Sequence, residues 1–287
     1  MQLKNELIYK ENNKWNRDKI ILDEDDKYFL YKTDKIRSPK ISSHTLVNLS
    51  NMNKWQSVGN TLLSMYGVVQ RSSIDPYQTR KGGIAEVFAG KYLRDLYGPM
   101  ADIESFTVSQ FKDYNQFPEA APFSGVLDLL MHSPEKMTIE VKSKEMREYE
   151  RIADHGMFPR EQVMQGANQA ILAGTTKYMM LWVFLTPALS TLLKGISEEF
   201  EFEGKMIDSW MWDEDFVQAV IDLNITMDDF KFCAKEFDAD IRLVNAYRQK
   251  ALDLTEEFVN HRRINKRLFT ADERRIIKNF IKENKID

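Results

Sequence analysis

The sequence predicts an α/β fold in the order helix, three strands, helix and strand, followed by a helical C-terminal extension. Three observations predict it. Residues 80–97 carry apolar side chains at helical spacing, residues 123–144 contain two short apolar strands joined by a turn with Pro134, and residues 178–185 form a continuous apolar run. A run of that length is typical of a strand buried on both faces, as in the sheets of α/β proteins.

Length, charge and cysteine content limit the class of protein. With 287 residues, 43% of them hydrophobic, the chain can bury a large core. A net charge of −4 excludes a surface coated in positive charge, although a local basic groove is compatible with it. Cys233 is the only cysteine, which excludes an intrachain disulfide and a zinc site built from cysteines.

We expect a cytoplasmic protein of a bacterium or an infected host cell, with no membrane partner. The charged N-terminus does not have the apolar core of a signal peptide. The longest apolar stretch, residues 178–193, is interrupted by Pro187 and is too short to span a membrane convincingly.

The first 79 residues predict an N-terminal arm with a helical addition. Residues 28–31 suggest a short β excursion after the acidic cluster at 23–26. Residues 43–66 carry apolar and aromatic side chains at roughly helical spacing, behind a Ser-Ser-His-Thr stretch that is typical of a helix cap. We interpret those aromatic side chains, Trp55 among them, as core residues.

The next helix, predicted over residues 80–97, carries a carboxylate at the border of its apolar stripe. The stripe consists of Ala85, Phe88, Ala89, Tyr92 and Leu96. Glu86 falls at the border, where a side chain can reach into a cleft while its helix packs on a sheet. The alternative is an ordinary solvent-exposed glutamate, because Glu is a good helix former.

A strand is expected near residues 105–111, and the two strands after it carry charges where propensity would not place them. Side chains alternate faces along a strand, so Glu140 and Lys142 share one face, and Asp128 converges on them if the strands pair. A buried carboxylate costs several kcal/mol unless a cation, a metal or a proton compensates it. Two carboxylates and a lysine suit Mg²⁺. The alternative is a surface hairpin with an ion pair, because Glu-x-Lys alone has little specificity.

The second core helix is predicted from Pro159 to Gly174. It places Gln162, Gln165 and Gln169 on one face, where amides can contact a phosphate, a base edge or a water. A merely polar outer face explains the same pattern.

In this order, the elements resemble the αβββαβ core of the PD-(D/E)xK nuclease superfamily, a central mixed sheet flanked by helices. The resemblance covers residues 80–187. The segments that carry it are RKGGIAE, GVLDLL, IEVKSK and QVMQGANQAILAGTTKYMMLWV, which look like the RecB-like and lambda-exonuclease (YqaJ-type) branch of phage and bacterial recombination nucleases.

The resemblance implies a role for each matching residue. Asp128, Glu140 and the backbone carbonyl of Val141 would ligate Mg²⁺ or Mn²⁺, and Glu86 would reach the metal, usually through water. Lys142 would position the attacking water and stabilise charge on the phosphate, and Gln165 matches the glutamine of the downstream helix.

Two departures from the family pattern stand out. Leu127 precedes Asp128 where the motif often has Pro, and Gln169 stands where the RecB-like pattern has Tyr. The usual contact of that tyrosine is therefore in doubt.

The function implied is that of a metal-dependent DNA exonuclease that uses two-metal catalysis in recombination, replication or repair. DNA would be its substrate, a single-strand annealing or other recombination protein a partner, and a homo-oligomer its assembly. Two alternatives are an endonuclease of the same superfamily and an inactive nuclease-like module for DNA binding or assembly. Arg71, Arg80 and Arg147 are candidates for gripping a 5′-phosphate.

These patterns divide the chain into an N-terminal addition (1–79), a nuclease core (80–193) and a helical extension (194–287). In the extension we expect helices over residues 216–223, 227–237 and 241–258. The last segment is rich in Arg and Lys, and its TADE sequence at 270–273 is typical of a helix N-cap. This basic tail suits a DNA backbone or a partner, and a solvated basic helix is the alternative.

Overall fold

The structure is a computed structural model, and it describes residues 10–11, 14–15, 21–31, 40–66, 76–106, 110–195, 199–202, 205–208 and 224–283. Its strands are β1 (Lys10–Glu11), β2 (Lys14–Trp15), β3 (Ile21–Asp23), β4 (Tyr28–Tyr31), β5 (Ile41–Ser42), β6 (Asp102–Ser105), β7 (Phe123–Ser124), β8 (Leu129–Ser133), β9 (Met137–Glu145), β10 (Lys177–Leu185), β11 (Glu199–Phe202), β12 (Lys205–Asp208), β13 (Phe230–Asp238) and β14 (Arg263–Asn265). Its α-helices are α1 (Ser43–Leu49), α2 (Val58–Met65), α3 (Pro76–Tyr97), α4 (Arg160–Leu172), α5 (Pro187–Gly195), α6 (Ile241–His261) and α7 (Ala271–Glu283).

The chain forms two compact units. Unit 1 combines residues 1–73, 118–124 and 242–287, and unit 2 combines residues 74–117 and 125–241. The first and last segments of the chain therefore belong to one unit, whereas the sequence suggested separate additions at either end of the core. No helix in the described ranges is both long and apolar enough to cross a membrane.

Unit 2 is built on a five-stranded mixed sheet with the order β13-β10-β9-β8-β6. Strands β9 and β10 run parallel, and the other neighbours are antiparallel. The predicted αβββαβ order is confirmed by α3, β6, β8, β9, α4 and β10. Strand β6 ends at Ser105, so the strand expected over residues 105–111 lies earlier in the chain.

Helix α3 covers one face of this sheet. Ala85, Phe88 and Ala89 are buried in the same apolar cluster as Ile139 and Val141 of β9. The predicted stripe is wrong at its C-terminal end, because Leu96 is 53% exposed whereas Leu93 is fully buried. At this end of the helix, Leu93 rather than Leu96 packs in the apolar cluster on the sheet.

Helix α4 covers the opposite face, and Gly166 is the point of closest approach. A Cβ atom at Gly166 would lie 2.7 Å from both Sδ of Met180 and Cδ2 of Tyr178, so only glycine fits without a shift. Pro159 occupies the N-cap position, immediately before the predicted first turn. Gly174 adopts a φ of +66°, which suits its predicted place after the helix end.

The helical pattern predicted for residues 227–237 is wrong, because most of the segment forms β13. This strand pairs antiparallel along the whole length of β10 and covers an edge that would otherwise be unpaired. Its aromatic side chains pack in pairs: Phe230 lies against Phe88, and Phe237 stacks on Tyr178. The helix expected at 216–223 lies outside the described residues.

Unit 1 contains the sheet β14-β4-β3, which joins residues from both ends of the chain. The β excursion at Tyr28–Tyr31 is confirmed, and Tyr31 stacks on Phe258 of α6 with ring centroids 5.1 Å apart. Phe29 meets Phe269 edge-to-face at 5.6 Å. These contacts bury Tyr31 and Phe29 of β4 in a common core with Phe258 and Phe269.

The helix suggested over residues 43–66 is interrupted. It forms α1, capped by Ser42, and α2, capped by Ser57, and the turn between them is held by side-chain hydrogen bonds of Asn48 and Asn53. Trp55 lies in this turn and is 89% exposed, so its interpretation as a core residue is wrong.

Candidate active site

Asp128 lies where the ladder between β8 and β9 ends. The last paired residues are Leu129 and Ile139. Beyond them, the Asp128 carboxylate accepts a hydrogen bond from the backbone N–H of Val141 at 2.8 Å, in place of a strand carbonyl. The side chain is therefore fixed against β9, as the predicted hairpin required.

Glu140 and Lys142 lie beside it on β9 and share one face. Glu140 is 3% exposed, and its Oε1 accepts a short hydrogen bond from Nζ of Lys142. Its Oε2 is buried and has no hydrogen-bond partner. Burial alone would lower the pKa of Lys142, but attraction by Glu140 and Asp128 raises it, so the ammonium is retained.

Glu86 of α3 interacts electrostatically with Glu140 and Lys142. Burial, together with repulsion by Glu140, raises its pKa to about 7 despite the attraction of Lys142. Burial and the neighbouring Glu140 and Glu86 also raise the pKa of Asp128 well above its ordinary value. Three carboxylates therefore repel one another around one lysine, an arrangement that a bound cation would relieve.

The predicted glutamine face of α4 is turned toward the sheet. Gln165 is 9% exposed and Gln169 is 7% exposed, and Oε1 of Gln169 has no hydrogen-bond partner. Gln162 accepts a hydrogen bond from Nε1 of Trp182 at 2.9 Å and thereby joins α4 to β10. The polar outer face, which was the alternative for these residues, is wrong for Gln165 and Gln169.

The sequence analysis missed two residues that fix the backbone of the segment before Asp128. Leu127 N–H donates to Oε1 of Gln116 at 3.0 Å, and Gly125 N–H donates to Oδ1 of Asn115 at 3.2 Å. Two amide side chains thus bind the backbone directly before the candidate carboxylate. No periodicity or spacing could reveal them, because each bond joins residues about ten positions apart in irregular segments.

A second missed residue is Glu145, at the end of β9. Its carboxylate accepts hydrogen bonds from Tyr77 of α3 at 2.5 Å and from Ser190 of α5 at 2.9 Å, and Nζ of Lys81 lies 3.7 Å away. Burial would raise its pKa, but these partners lower it below the ordinary value. Glu145 therefore joins two helices to the strand that carries Glu140 and Lys142.

The three arginine candidates for a 5′-phosphate differ in their surroundings. Arg80 is 3% exposed and donates to the backbone carbonyl of Leu193 at 2.9 Å, which argues against contact with a ligand. Arg147 is exposed, and Arg71 lies outside the described residues.

The carboxylates of this site suit a magnesium-like ion that takes two ligands from the protein and the others from water. No group of three or more His, Cys, Asp or Glu side chains in the described ranges is arranged to hold a metal ion. Two carboxylates, those of Asp128 and Glu140, are nevertheless the number that Mg²⁺ commonly takes from a protein, with waters completing its shell. Oε2 of Glu140 is buried without a hydrogen-bond partner, and a carboxylate oxygen is the type of ligand that Mg²⁺ binds.

No protein-family model matches this chain, and no curated protein matches it in sequence. Solved structures with a similar fold include a phage-related exonuclease from Haemophilus somnus, with 13% identity and a TM-score of 0.49 over 86% of this chain and 97% of that one. An alkaline exonuclease from Laribacter hongkongensis, alone and in complex with dAMP, has 12% identity and a TM-score of 0.46 over 85% of this chain and 93% of its own. Identities and TM-scores this low do not transfer an activity or a residue's role between proteins.

Proposed function

We propose that this chain is a metal-dependent deoxyribonuclease of the PD-(D/E)xK superfamily, an exonuclease that processes DNA ends in recombination, replication or repair. One observation carries the proposal: Asp128, Glu140 and Lys142 converge at the end of the β8–β9 ladder, and Glu140 is buried with one oxygen unpartnered. The αβββαβ order around them supports it, because the resemblance to the superfamily assigns the catalytic residues to these strands.

The proposed ligands of Mg²⁺ or Mn²⁺ are the carboxylates of Asp128 and Glu140 and the backbone carbonyl of Val141. A buried acceptor without a partner costs roughly 1–3 kcal/mol, so a cation that uses it would recover this cost. Glu86 is assigned to act through a water, as the resemblance to the superfamily implies.

A divalent ion at these carboxylates would lower the pKa of a water molecule and neutralise charge on a phosphodiester. Lys142 adds a cation on the same side of β9, where it can position the attacking water and stabilise charge on the phosphate. Glu145 and Gln116 hold the strand and the segment that carry these groups. We expect products with a 5′-phosphate and a 3′-hydroxyl.

The first experiment is digestion of linear, nicked and covalently closed circular duplex DNA with Mg²⁺, Mn²⁺ or EDTA. We expect metal-dependent loss of linear DNA, with closed circles spared. Lys142→Ala should slow this reaction by at least about 10²-fold, in line with the loss of a group that stabilises transition-state charge. Lys144→Ala is the matched control, since Lys144 lies two residues further along β9 and pairs with Glu148 at 3.5 Å.

Two other outcomes would contradict the proposal. Cleavage of closed circles would replace the exonuclease with an endonuclease. If the wild type cleaves no DNA with either metal, the nuclease proposal is wrong and the binding module becomes the function to test.

Metal binding is tested separately by thermal unfolding. Mn²⁺ at 100 times its dissociation constant should stabilise the wild type and Lys142→Ala by about 2.7 kcal/mol. Glu140→Gln, which keeps the size of the side chain and removes its charge, should abolish most of this effect. A wild type that is indifferent to Mn²⁺ and Mg²⁺ would contradict the metal assignment.

A further inference from the structure

Unit 1 contains an open groove of about 550 Å³ whose walls are mainly basic. We call it the α7 groove, because four of its lining residues belong to that helix. The charged side chains that line it are Asp26, Lys266, Arg267, Arg274, Arg275 and Lys278. The groove accounts for much of the basic tail that the sequence singled out.

The charge of the α7 groove remains positive after its ion pairs are counted. Lys266 is buried and binds Asp23, which also lies 3.7 Å from Lys278, and Arg275 pairs with Asp272 at 2.9 Å. Asp23, Asp25, Asp26 and Asp272 thus oppose five cations, which leaves one positive charge on a chain whose net charge is −4.

The basic groups stand on a rigid support. Thr270 and Glu273 cap α7 reciprocally, at 3.2 Å and 2.7 Å. Nη1 of Arg274 donates to the carbonyls of Phe269 at 2.8 Å and Lys266 at 3.2 Å, which ties the helix to the preceding turn. Arg267, Arg275 and Lys278 are exposed on this support, so ordering them on a ligand costs only their own side-chain entropy.

We propose that the α7 groove binds the phosphodiester backbone of DNA, independently of base sequence. The guanidinium groups of Arg267 and Arg275 match phosphate oxygens in geometry, and Lys278 adds a point charge. Arg275 and Lys278 lie three residues apart on α7, so their side chains share one face of the helix. The proposal rests on the proposed function for the identity of the polyanion.

The test is binding of a fluorescent 30-bp duplex in EDTA across a series of salt concentrations, which removes cleavage from the measurement. The variant Arg267→Ala/Lys278→Ala removes two exposed groove cations. Arg242→Ala/Lys250→Ala is the control, since it removes one arginine and one lysine from exposed positions of α6 outside the groove. All four side chains are exposed, and thermal unfolding checks that both variants fold as the wild type does.

The slope of log K against log salt should become shallower by about 0.9 for each phosphate that the protein no longer neutralises, so by roughly 1 to 2 in the groove variant. The control should keep the wild-type slope. Equal slopes in the two variants would overturn the proposal, because the attraction would then be a property of the whole surface.

The two proposals fail in different ways. If the wild type cleaves DNA but the groove variant has the same salt slope as the control, the nuclease proposal stands and the groove proposal is wrong. If the groove variant has a shallower slope but the wild type cleaves no DNA, the groove proposal stands and the nuclease proposal is wrong.

Discussion

Asp128 serves two purposes that conflict. Its carboxylate replaces a missing ladder carbonyl by accepting from Val141 N–H, which favours the fold. Its charge stands near Glu140 and Glu86 in a buried environment that raises its pKa, which opposes the fold at neutral pH. Conflicts of this kind are typical of residues that are retained for function.

Asp128→Asn separates the two purposes. The amide oxygen can still accept from Val141 N–H, and the charge is gone, so we expect no loss in the free energy of unfolding measured by urea in EDTA. DNA cleavage should fall by at least about 10²-fold, as for other groups that act on the transition state.

Asp128→Ala is the companion variant. It leaves the N–H of Val141 without its acceptor and should cost about 1–3 kcal/mol. If Asp128→Asn were destabilised as much as Asp128→Ala, the charge itself would be stabilising and the conflict would not exist.

At the scale of elements, Glu145 joins β9 to α3 and α5 through Tyr77, Lys81 and Ser190. Because partners lower its pKa in the folded chain, its contribution to stability is present above its ordinary pKa of 4.5 and is lost as the pH falls below that value. Glu145→Gln should lower the free energy of unfolding by about 1–3 kcal/mol at pH 7, as expected for charge-assisted hydrogen bonds.

The difference between wild type and Glu145→Gln should shrink as the pH falls below 4.5 in denaturant titrations. Glu148→Gln is the control, since Glu148 makes partly exposed ion pairs with Lys144 at 3.5 Å and Arg151 at 3.1 Å and should cost less than about 1 kcal/mol. A Glu145→Gln cost that stays constant from pH 7 to pH 3.5 would contradict the assignment of its pKa.

The approach of α4 to the sheet depends on Gly166. Gly166→Ala must displace the side chains of Met180 and Tyr178, and Met180 is the registered neighbour of Glu140. We expect a loss of about 1–3 kcal/mol from overpacking, measured by thermal unfolding.

Gly82→Ala is the matched control on α3, where no atom lies within 4 Å of the added Cβ. It should stabilise the chain by about 0.5–1 kcal/mol through helix propensity alone. Stabilisation of both variants would show that α4 does not pack against β10 as closely as described.

At the scale of the whole molecule, unit 1 is assembled from three separated segments of the chain. Strand β14 pairs with β4, and Phe258 and Phe269 pack on Tyr31 and Phe29. Residues 21–31 therefore depend on residues more than 200 positions away for their burial.

Truncation after Ile241 should expose the amides of β4 to hydrogen exchange, because β14 and the aromatic partners are removed. Truncation after Glu283 is the control and should leave β4 protected. Protection of β4 in the shorter chain would mean that residues 21–31 fold without the C-terminal segments, against the pairing of β4 with β14.

Apolar periodicity and turn residues are local signals, and from them the sequence alone predicts α3, α4, the buried strand β10 and the hairpin of β8 and β9. It also placed Asp128, Glu140 and Lys142 together, since alternation on paired strands leaves few other arrangements. The αβββαβ order also requires β6, which the sequence predicts near 105–111 and the structure has at Asp102–Ser105.

The remaining features depend on contacts between residues far apart in the chain, so no local sequence pattern predicts them. Residues 230–238 form a strand since β10 offers an unpaired edge, and Trp55 is exposed since a network of side-chain hydrogen bonds fixes its turn. Glu145 and Gln116 acquire their roles from partners on other elements. The α7 groove likewise arises where two distant segments meet, because Asp23 and Asp26 come from one segment and the basic residues at 266–278 from the other.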